Sequence, residues 1–125
     1  MSSQAIEEIV RKTYIGSHDI KVDPKGRVSV PAVFRRILER KTKAKDLIFE
    51  VSEVDGQKRL NCYDLASYER NKKQIDHGNI IIITPDSQGR VLLPVDTRRA
   101  LGLEDRVYFR ASKDGTYFFL VNQTS

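Results

Sequence analysis

The segment from Asp23 to Leu38 recurs 63 positions later, from Asp86 to Leu101, without a gap. Eight of its sixteen positions are identical: Asp23 and Asp86, Gly26 and Gly89, Arg27 and Arg90, Val28 and Val91, Pro31 and Pro94, Arg35 and Arg98, Arg36 and Arg99, Leu38 and Leu101. A duplication of this kind constrains architecture strongly, because every copy must bury its apolar face on something. Two copies are too few for a solenoid, which leaves two half-units packed about a pseudo-twofold axis. In a chain of 125 residues each half has about 50, and a unit of that size alone buries only about 60% of its surface. The other half is the simplest cover.

Both copies read as the same local structure. A short run rich in β-branched residues precedes each (19–22 and 80–84), and Asp-x-x-Gly is a turn signal in which glycine supplies a positive φ. Arg27 to Val30 and Arg90 to Leu93 then read as strands, so each copy is expected to open with strand, tight turn and strand. Pro31 and Pro94 lack the ladder N–H, stop the strand and suit the first position of a helix. In the first helix Val33 with Ile37, and Phe34 with Leu38, form i,i+4 apolar pairs that turn Arg35 and Arg36 toward the rim or solvent. This helix is expected to run through Arg40 or Lys41. Gly102 is placed to cap the second, with Leu103 making the accompanying apolar contact.

Two more strands follow each helix, at 47–51 and 60–63 and at 107–111 and 117–121, joined by turns containing Asp55-Gly56 and Asp114-Gly115. Asp64 to Ile75 reads as a joining helix capped by Asp64, with Leu65, Tyr68 and Ile75 on one stripe. Residues 4–13 read as a short N-terminal helix. The expected fold is mostly β within the α+β class: an N-terminal extension at 1–13, repeats at 14–63 and 80–125, and a linker at 64–79.

The formal net charge is +5, but it is concentrated. Residues 20–45 hold nine cations (Lys21, Lys25, Arg27, Arg35, Arg36, Arg40, Lys41, Lys43, Lys45) against Asp23 and Glu39, a net of +7, while the flanking stretches each carry −1. Such a field attracts polyanions, nucleic acid or an anionic membrane surface, more than small acids. The bland alternative is a solvated basic helix face. The longest apolar run, Ile80 to Ile83, falls far below the roughly 20 residues that cross a bilayer, and Glu7 and Glu8 do not suit a leader. No membrane partner is expected.

Cys62 is the single cysteine, so no intrachain disulfide or cysteine-rich metal cage can form, and a reducing cytosol fits best. His18 and His77, both expected in loops, lack a second ligand at metal spacing, and no base adjoins Cys62. Gly26 and Gly89 are isolated turn glycines rather than a phosphate-cradling loop. No catalytic residue, metal, cofactor or small-molecule substrate is expected. Tyr117, Phe118 and Phe119 suit the core or a subunit interface, with base stacking the lesser alternative.

The second copy, Asp86 through Pro94 with Arg98 through Leu103, resembles the DNA-binding domain of the AbrB/MazE superfamily of swapped-hairpin proteins. The first, with Ile15-Gly16 leading into Val22 through Arg35, resembles the opening of the MraZ family, in which two copies stand in tandem. The resemblance covers about residues 14–51 and 80–121. It implies two swapped-hairpin half-barrels and a cytoplasmic, nucleoid-associated bacterial regulator of division and cell-wall genes. That regulator would be a homo-oligomer able to form a ring and to bind repeated short boxes in double-stranded DNA. The family's Asp-x-x-x-Arg motif falls on Asp23 with Arg27 and on Asp86 with Arg90. The arginine pair that AbrB-type domains place on DNA falls on Arg35 with Arg36 and on Arg98 with Arg99. Relative to the family, the linker is short, an N-terminal extension is added, and the chain stops soon after the last strand.

Read for their chemistry, Arg27 and Arg90 follow the turn glycine, so each guanidinium should project from the start of a strand on a two-stranded ribbon thin enough for a major groove. Five fixed donors suit a phosphate or a guanine edge. Asp23 and Asp86 either simply close the turn by pairing or also hold the guanidinium in a productive rotamer, and these readings are compatible. Lys25, where the second copy has Gln88, and the nearby cations from Arg40 to Lys45 favour Arg27 over Arg90 as the stronger contact. Arg35, Arg36, Arg98 and Arg99 suit phosphate contacts if they are not merely solvated. Two rival functions use related folds: an antitoxin-like interaction protein, and a substrate-recognition module for an ATPase. The lack of a long C-terminal tail argues against the first, and the basic window against the second.

Overall fold

The computed structural model describes residues 3–122. In chain order the elements are α1 (Ser3–Arg11), β1 (Ser17–Lys21), β2 (Arg27–Ser29), α2 (Ala32–Lys41), β3 (Leu47–Val54), β4 (Gln57–Tyr63), α3 (Leu65–Asn71), β5 (Ile80–Ile83), β6 (Arg90–Leu92), α4 (Val95–Leu101), β7 (Arg106–Ala111) and β8 (Phe118–Val121). The fold is α+β and mostly β. Six strands form one antiparallel sheet in the order β1-β7-β8-β4-β3-β5, and β2 and β6 form a separate antiparallel ribbon. The duplication is visible as symmetry: Val28 faces Val91 in the ribbon, and Asn61 faces Phe119 where β4 meets β8.

The two strands at the head of each copy do not form a hairpin of their own but are exchanged between the copies, as the swapped-hairpin resemblance implies. β1 crosses to β7 of the second copy (Ser17 opposite Arg110, Lys21 opposite Arg106), and β5 crosses to β3 of the first (Leu47 opposite Ile83). β2 and β6 then pair across the copies, with Arg27 opposite Leu92 and Ser29 opposite Arg90. The reason lies in the inward residues. Val28 and Val91 are 1% and 0% exposed and find their cover on one another, which a hairpin confined to one copy cannot supply. Each half-sheet also gains a third strand, without which a hairpin is marginal in water.

One continuous core results, containing Val28, Val30, Phe34, Phe49, Leu60, Cys62, Val91, Leu93, Val107, Phe109, Phe118 and Leu120. Its aromatic centre joins both repeats: Phe34 lies 4.8 Å from Phe118, and Tyr14 meets both edge-on. His18 sits in β1 rather than in a loop, edge-on to Phe34 at 5.0 Å. His77 opens a 3-10 turn, with its ring nitrogens at 2.8 Å from the Tyr68 hydroxyl and 3.1 Å from the Ile75 carbonyl. Cys62 is wholly buried, and burial pushes its thiol up.

Helix α2 ends at Lys41 and buries Phe34 and Ile37, one member of each apolar pair, while Leu38 is half-buried against the core and Val33 is exposed. Gly102 ends α4 in the left-handed conformation, while Leu103 N–H donates to the Arg98 carbonyl. The joining helix is shorter than its sequence suggests. α3 stops at Asn71, whose side-chain amide donates to the Ser67 carbonyl, and a 3-10 turn carries the chain to buried Ile75. Leu65 is exposed and Ser67 is buried, because Asp64 turns the helix N-terminus inward. α1 buries no residue and leaves Ile6, Ile9 and Val10 exposed on one face. Among the described residues no helix is long and apolar enough to cross a membrane.

Asp64 is fully buried and carries three duties. It accepts the Ser67 N–H at 2.8 Å as a helix cap, receives the Tyr14 hydroxyl at 2.7 Å and pairs with Lys41 Nζ at 2.8 Å. Lys41 also donates to the Thr116 carbonyl and lies over the Tyr14 ring. One cation of the basic window is therefore spent inside the protein. Burial, together with the Asp64 carboxylate alongside, holds the Tyr14 hydroxyl protonated far above its ordinary range, and burial beside Glu50 raises Tyr63. An unfolded tyrosine ionises near 10, so the unfolded state loses these protons first and stability should fall as pH rises above that value. Absorbance titration at 295 nm should show Tyr14 and Tyr63 silent until alkaline unfolding. Tyr14→Phe should lower only the amplitude that accompanies unfolding.

Candidate nucleic-acid interface

The two Asp-to-Arg turns have nearly identical geometry. In the first, Asp23 Oδ1 accepts the backbone N–H of Lys25 at 2.9 Å and of Arg27 at 2.8 Å, and Oδ2 accepts Arg27 Nε at 2.6 Å. In the second, Asp86 Oδ1 accepts Gln88 N–H and Arg90 N–H, both at 2.9 Å, and Oδ2 accepts Arg90 Nε at 2.8 Å. The Arg27 and Arg90 backbone N–H bonds, foremost, and then the arginine side chains hold both carboxyls below the usual carboxylate range. The aspartates therefore stay charged at neutral pH. Each carboxylate grips only Nε. Among the described residues, the terminal Nη groups of Arg27 and Arg90 have no hydrogen-bond partner, so pairing fixes the rotamer and leaves the fork open.

Strand alternation decides where these forks point. Val28 and Val91 face the core, so Arg27, Ser29, Arg90 and Leu92 share the opposite face of the ribbon. Leu92 is 56% exposed there. The sequence suggests one ribbon per copy, but the structure has one ribbon made by both copies. The two arginines stand near its opposite ends, about 7 Å apart along the strands.

The helix arginines divide by position. Arg35 reaches across to the second turn, donating from Nη1 to the Gln88 carbonyl at 3.2 Å and covering Gly89. Arg98 covers Gly26 in the first turn. In both, Nε is buried with no hydrogen-bond partner among the described residues. Each helix thus backs the turn of the other copy. Arg36 and Arg99, one position on, are exposed. Lys25 is also exposed, on the first turn. Lys43 and Lys45 line a groove with Pro85, Asp86, Ser87 and Gly89, so the tail of the basic window lies beside the second turn. Strand exchange brings the second turn to the first copy's helix end, so Lys43 and Lys45 accompany Asp86 while Lys25 stays on the first turn.

These contacts give the turn glycines a second role that composition does not reveal. At Gly89 φ is +76°, and an added Cβ would land on Arg35 Cδ, whereas Gly56, at +79°, has nothing within 4 Å. Both positions bear the left-handed strain of an L-residue, about 1–2 kcal/mol. Gly89→Ala should therefore lower the melting temperature more than Gly56→Ala, a comparison that calorimetry can make directly.

Tandem copies exchanging strands around a shared ribbon, with an arginine presented at each turn, define a swapped-hairpin protein of duplicated type. Comparison with known proteins agrees. The chain is 30% identical over 124 residues to "Transcriptional regulator MraZ" of Ruegeria pomeroyi, covering 82% of this chain and 74% of the relative. It is 35% identical over 106 residues to "Transcriptional regulator MraZ" of Neisseria meningitidis, covering 74% and 70% respectively. No protein-family model matches it. The chain belongs to the MraZ family.

Proposed function

We propose that this chain is a transcriptional regulator that acts as a homo-oligomer, binding repeated short boxes in double-stranded DNA upstream of division and cell-wall genes. It works in the bacterial cytoplasm, associated with the nucleoid. The observation that carries this reading is the shared outer face of the β2–β6 ribbon, where two arginine forks are fixed by Asp23 and Asp86 and left open at Nη. A two-stranded ribbon fits a major groove. Repeat 14–63 supplies one reading turn and repeat 80–125 the other, both to the same duplex. Lys25 and Arg98 flank the first turn, Arg35 flanks the second, and Arg36 and Arg99 take phosphates.

Oligomerisation is part of the mechanism, because weak contacts from several subunits add through effective concentration. Edge strand β5 supports it. β5 carries four isoleucines without a charge, Ile82 being 63% exposed, whereas the opposite edge β1 carries Asp19 and Lys21, with Asp19 paired to Arg106. An uncharged apolar edge is the one that needs cover.

Fluorescence anisotropy with DNA from upstream of the protein's own operon, beside a scrambled duplex, tests the reading, with mass followed by light scattering. If one subunit neutralises about four to six phosphates, log K should fall against log salt with a slope of about −4 to −5. Equal affinity for the scrambled duplex, or a salt-insensitive complex, would overturn the proposal.

A further inference from the structure

A second basic surface lies outside the ribbon. The tip of the β3–β4 hairpin (residues 54–59) and the last turn of α4 (residues 99–102) enclose a cleft of roughly 800 Å³, floored by Arg110 and Phe119. Among the described residues four cations line it, Lys58, Arg59, Arg99 and Arg110, with Asp55 the one acid. Lys58 and Arg99 are exposed and make no hydrogen bond or ion pair among the described residues. Arg59 is pre-organised by neutral groups alone: Nε donates to Asn61 Oδ1 at 2.9 Å, and the guanidinium lies 3.5 Å over the Phe119 ring.

The pseudo-symmetric position shows what such a space holds when it is filled from within. Facing the last turn of α2, the β7–β8 tip is occupied by Thr13 and Tyr14: Tyr14 N–H donates to the Gly115 carbonyl, and Lys41 is neutralised by Asp64. At the β3–β4 tip, Gly56 faces open space, and Asn122, not an acid, reaches the end of α4. Lys58, Arg59 and Arg99 have no ion pair among the described residues, and like charges so gathered repel one another until an anion joins them.

We propose that this cleft is a binding site for a phosphate-bearing ligand, with Lys58, Arg59 and Arg99 as its principal contacts. Guanidinium forks match phosphate oxygens two at a time, and the stacked Arg59 loses little freedom on binding. Such a phosphate has two sources, a small polyphosphorylated molecule or the backbone of nucleic acid. The site does not depend on the turns reading DNA.

The test titrates inorganic triphosphate into the intact protein by isothermal calorimetry, comparing the wild type with Lys58→Gln/Arg99→Gln. A charge-matched control is Lys73→Gln/Lys113→Gln, at exposed cations outside the cleft. The proposal expects the cleft variant to bind at least about tenfold more weakly, the control to bind as wild type does, and all three to melt alike. For the DNA arm Lys58→Gln is used alone, because Arg99 already contacts phosphate in the proposed DNA complex: unchanged DNA affinity in Lys58→Gln would assign the site to a free small molecule. Weaker DNA binding with a shallower salt slope would assign it to the backbone. No triphosphate binding, or equal loss in both variants, overturns the proposal.

Discussion

Arg27→Ala is expected to lower affinity for the operon DNA by about 5- to 150-fold per reading turn, since one bidentate arginine contributes about 1–3 kcal/mol. The fold should survive. The only hydrogen-bond or ion-pair partner of the Arg27 side chain among the described residues is Asp23, and the turn keeps its backbone bonds, Gly26 N–H to the Asp23 carbonyl and Asp23 N–H to the Arg27 carbonyl, each 2.9 Å. Removing the guanidinium also leaves the Asp23 carboxylate facing the duplex without its cation, so repulsion adds to the lost contact.

Arg90→Ala should weaken binding by a similar factor, because its turn has the same geometry and has Lys43 and Lys45 beside it. The double variant should bind no better than to scrambled sequence. Asp23→Asn separates orientation from charge: the guanidinium stays while its anchor weakens, so specificity should drop more than the salt slope changes. By contrast, Arg36→Ala should weaken specific and scrambled DNA alike and make the salt slope shallower by about one. Anisotropy on the specific and scrambled duplexes, with circular dichroism confirming the fold, checks each variant. Wild-type affinity in the Arg27→Ala/Arg90→Ala protein would remove the ribbon from the interface.

The second large effect concerns stability. Asp64→Ala strands Lys41 Nζ, whose side chain is 10% exposed, and the buried Tyr14 hydroxyl, and it removes the cap of α3. Breaking one partner of a buried pair costs about 3–5 kcal/mol, equivalent to a melting-point fall of about 10 °C or more for a chain of this size. Lys41→Met/Asp64→Leu, which removes both charges together, should recover much of that loss, because apolar replacement of a complete buried pair is often near neutral. A fall of less than about 1 kcal/mol in Asp64→Ala, read by calorimetry, would show that water reaches the pair.

Much of this protein is local, and what is local is legible. Asp23 and Arg27 are four residues apart, so the carboxylate meets the arginine whatever the rest of the chain does, and the same holds for Asp86 and Arg90. Pro31 and Pro94 before a helix, Gly102 after one and Asp64 at a cap act within a turn of themselves. The duplication itself announced pseudo-twofold packing and a mostly β fold. What sequence could not supply is the pairing of residues far apart along the chain. Arg35 meets Gln88 across 53 positions, and Tyr14 meets Asp64 across 50.

By itself, then, the sequence determined the two turns, their arginines and the need for one copy to cover the other, since backbone preference and short-range hydrogen bonding settle these. Tertiary structure alone decided that β1 and β5 change places, that one ribbon carries both arginines on one face, that Arg35 and Arg98 back the opposite turns, and that Lys41 turns inward. Those outcomes depend on which apolar surfaces meet. Burial is non-directional and proportional to area, so the spacing of apolar residues shows which face is covered but not which distant surface covers it.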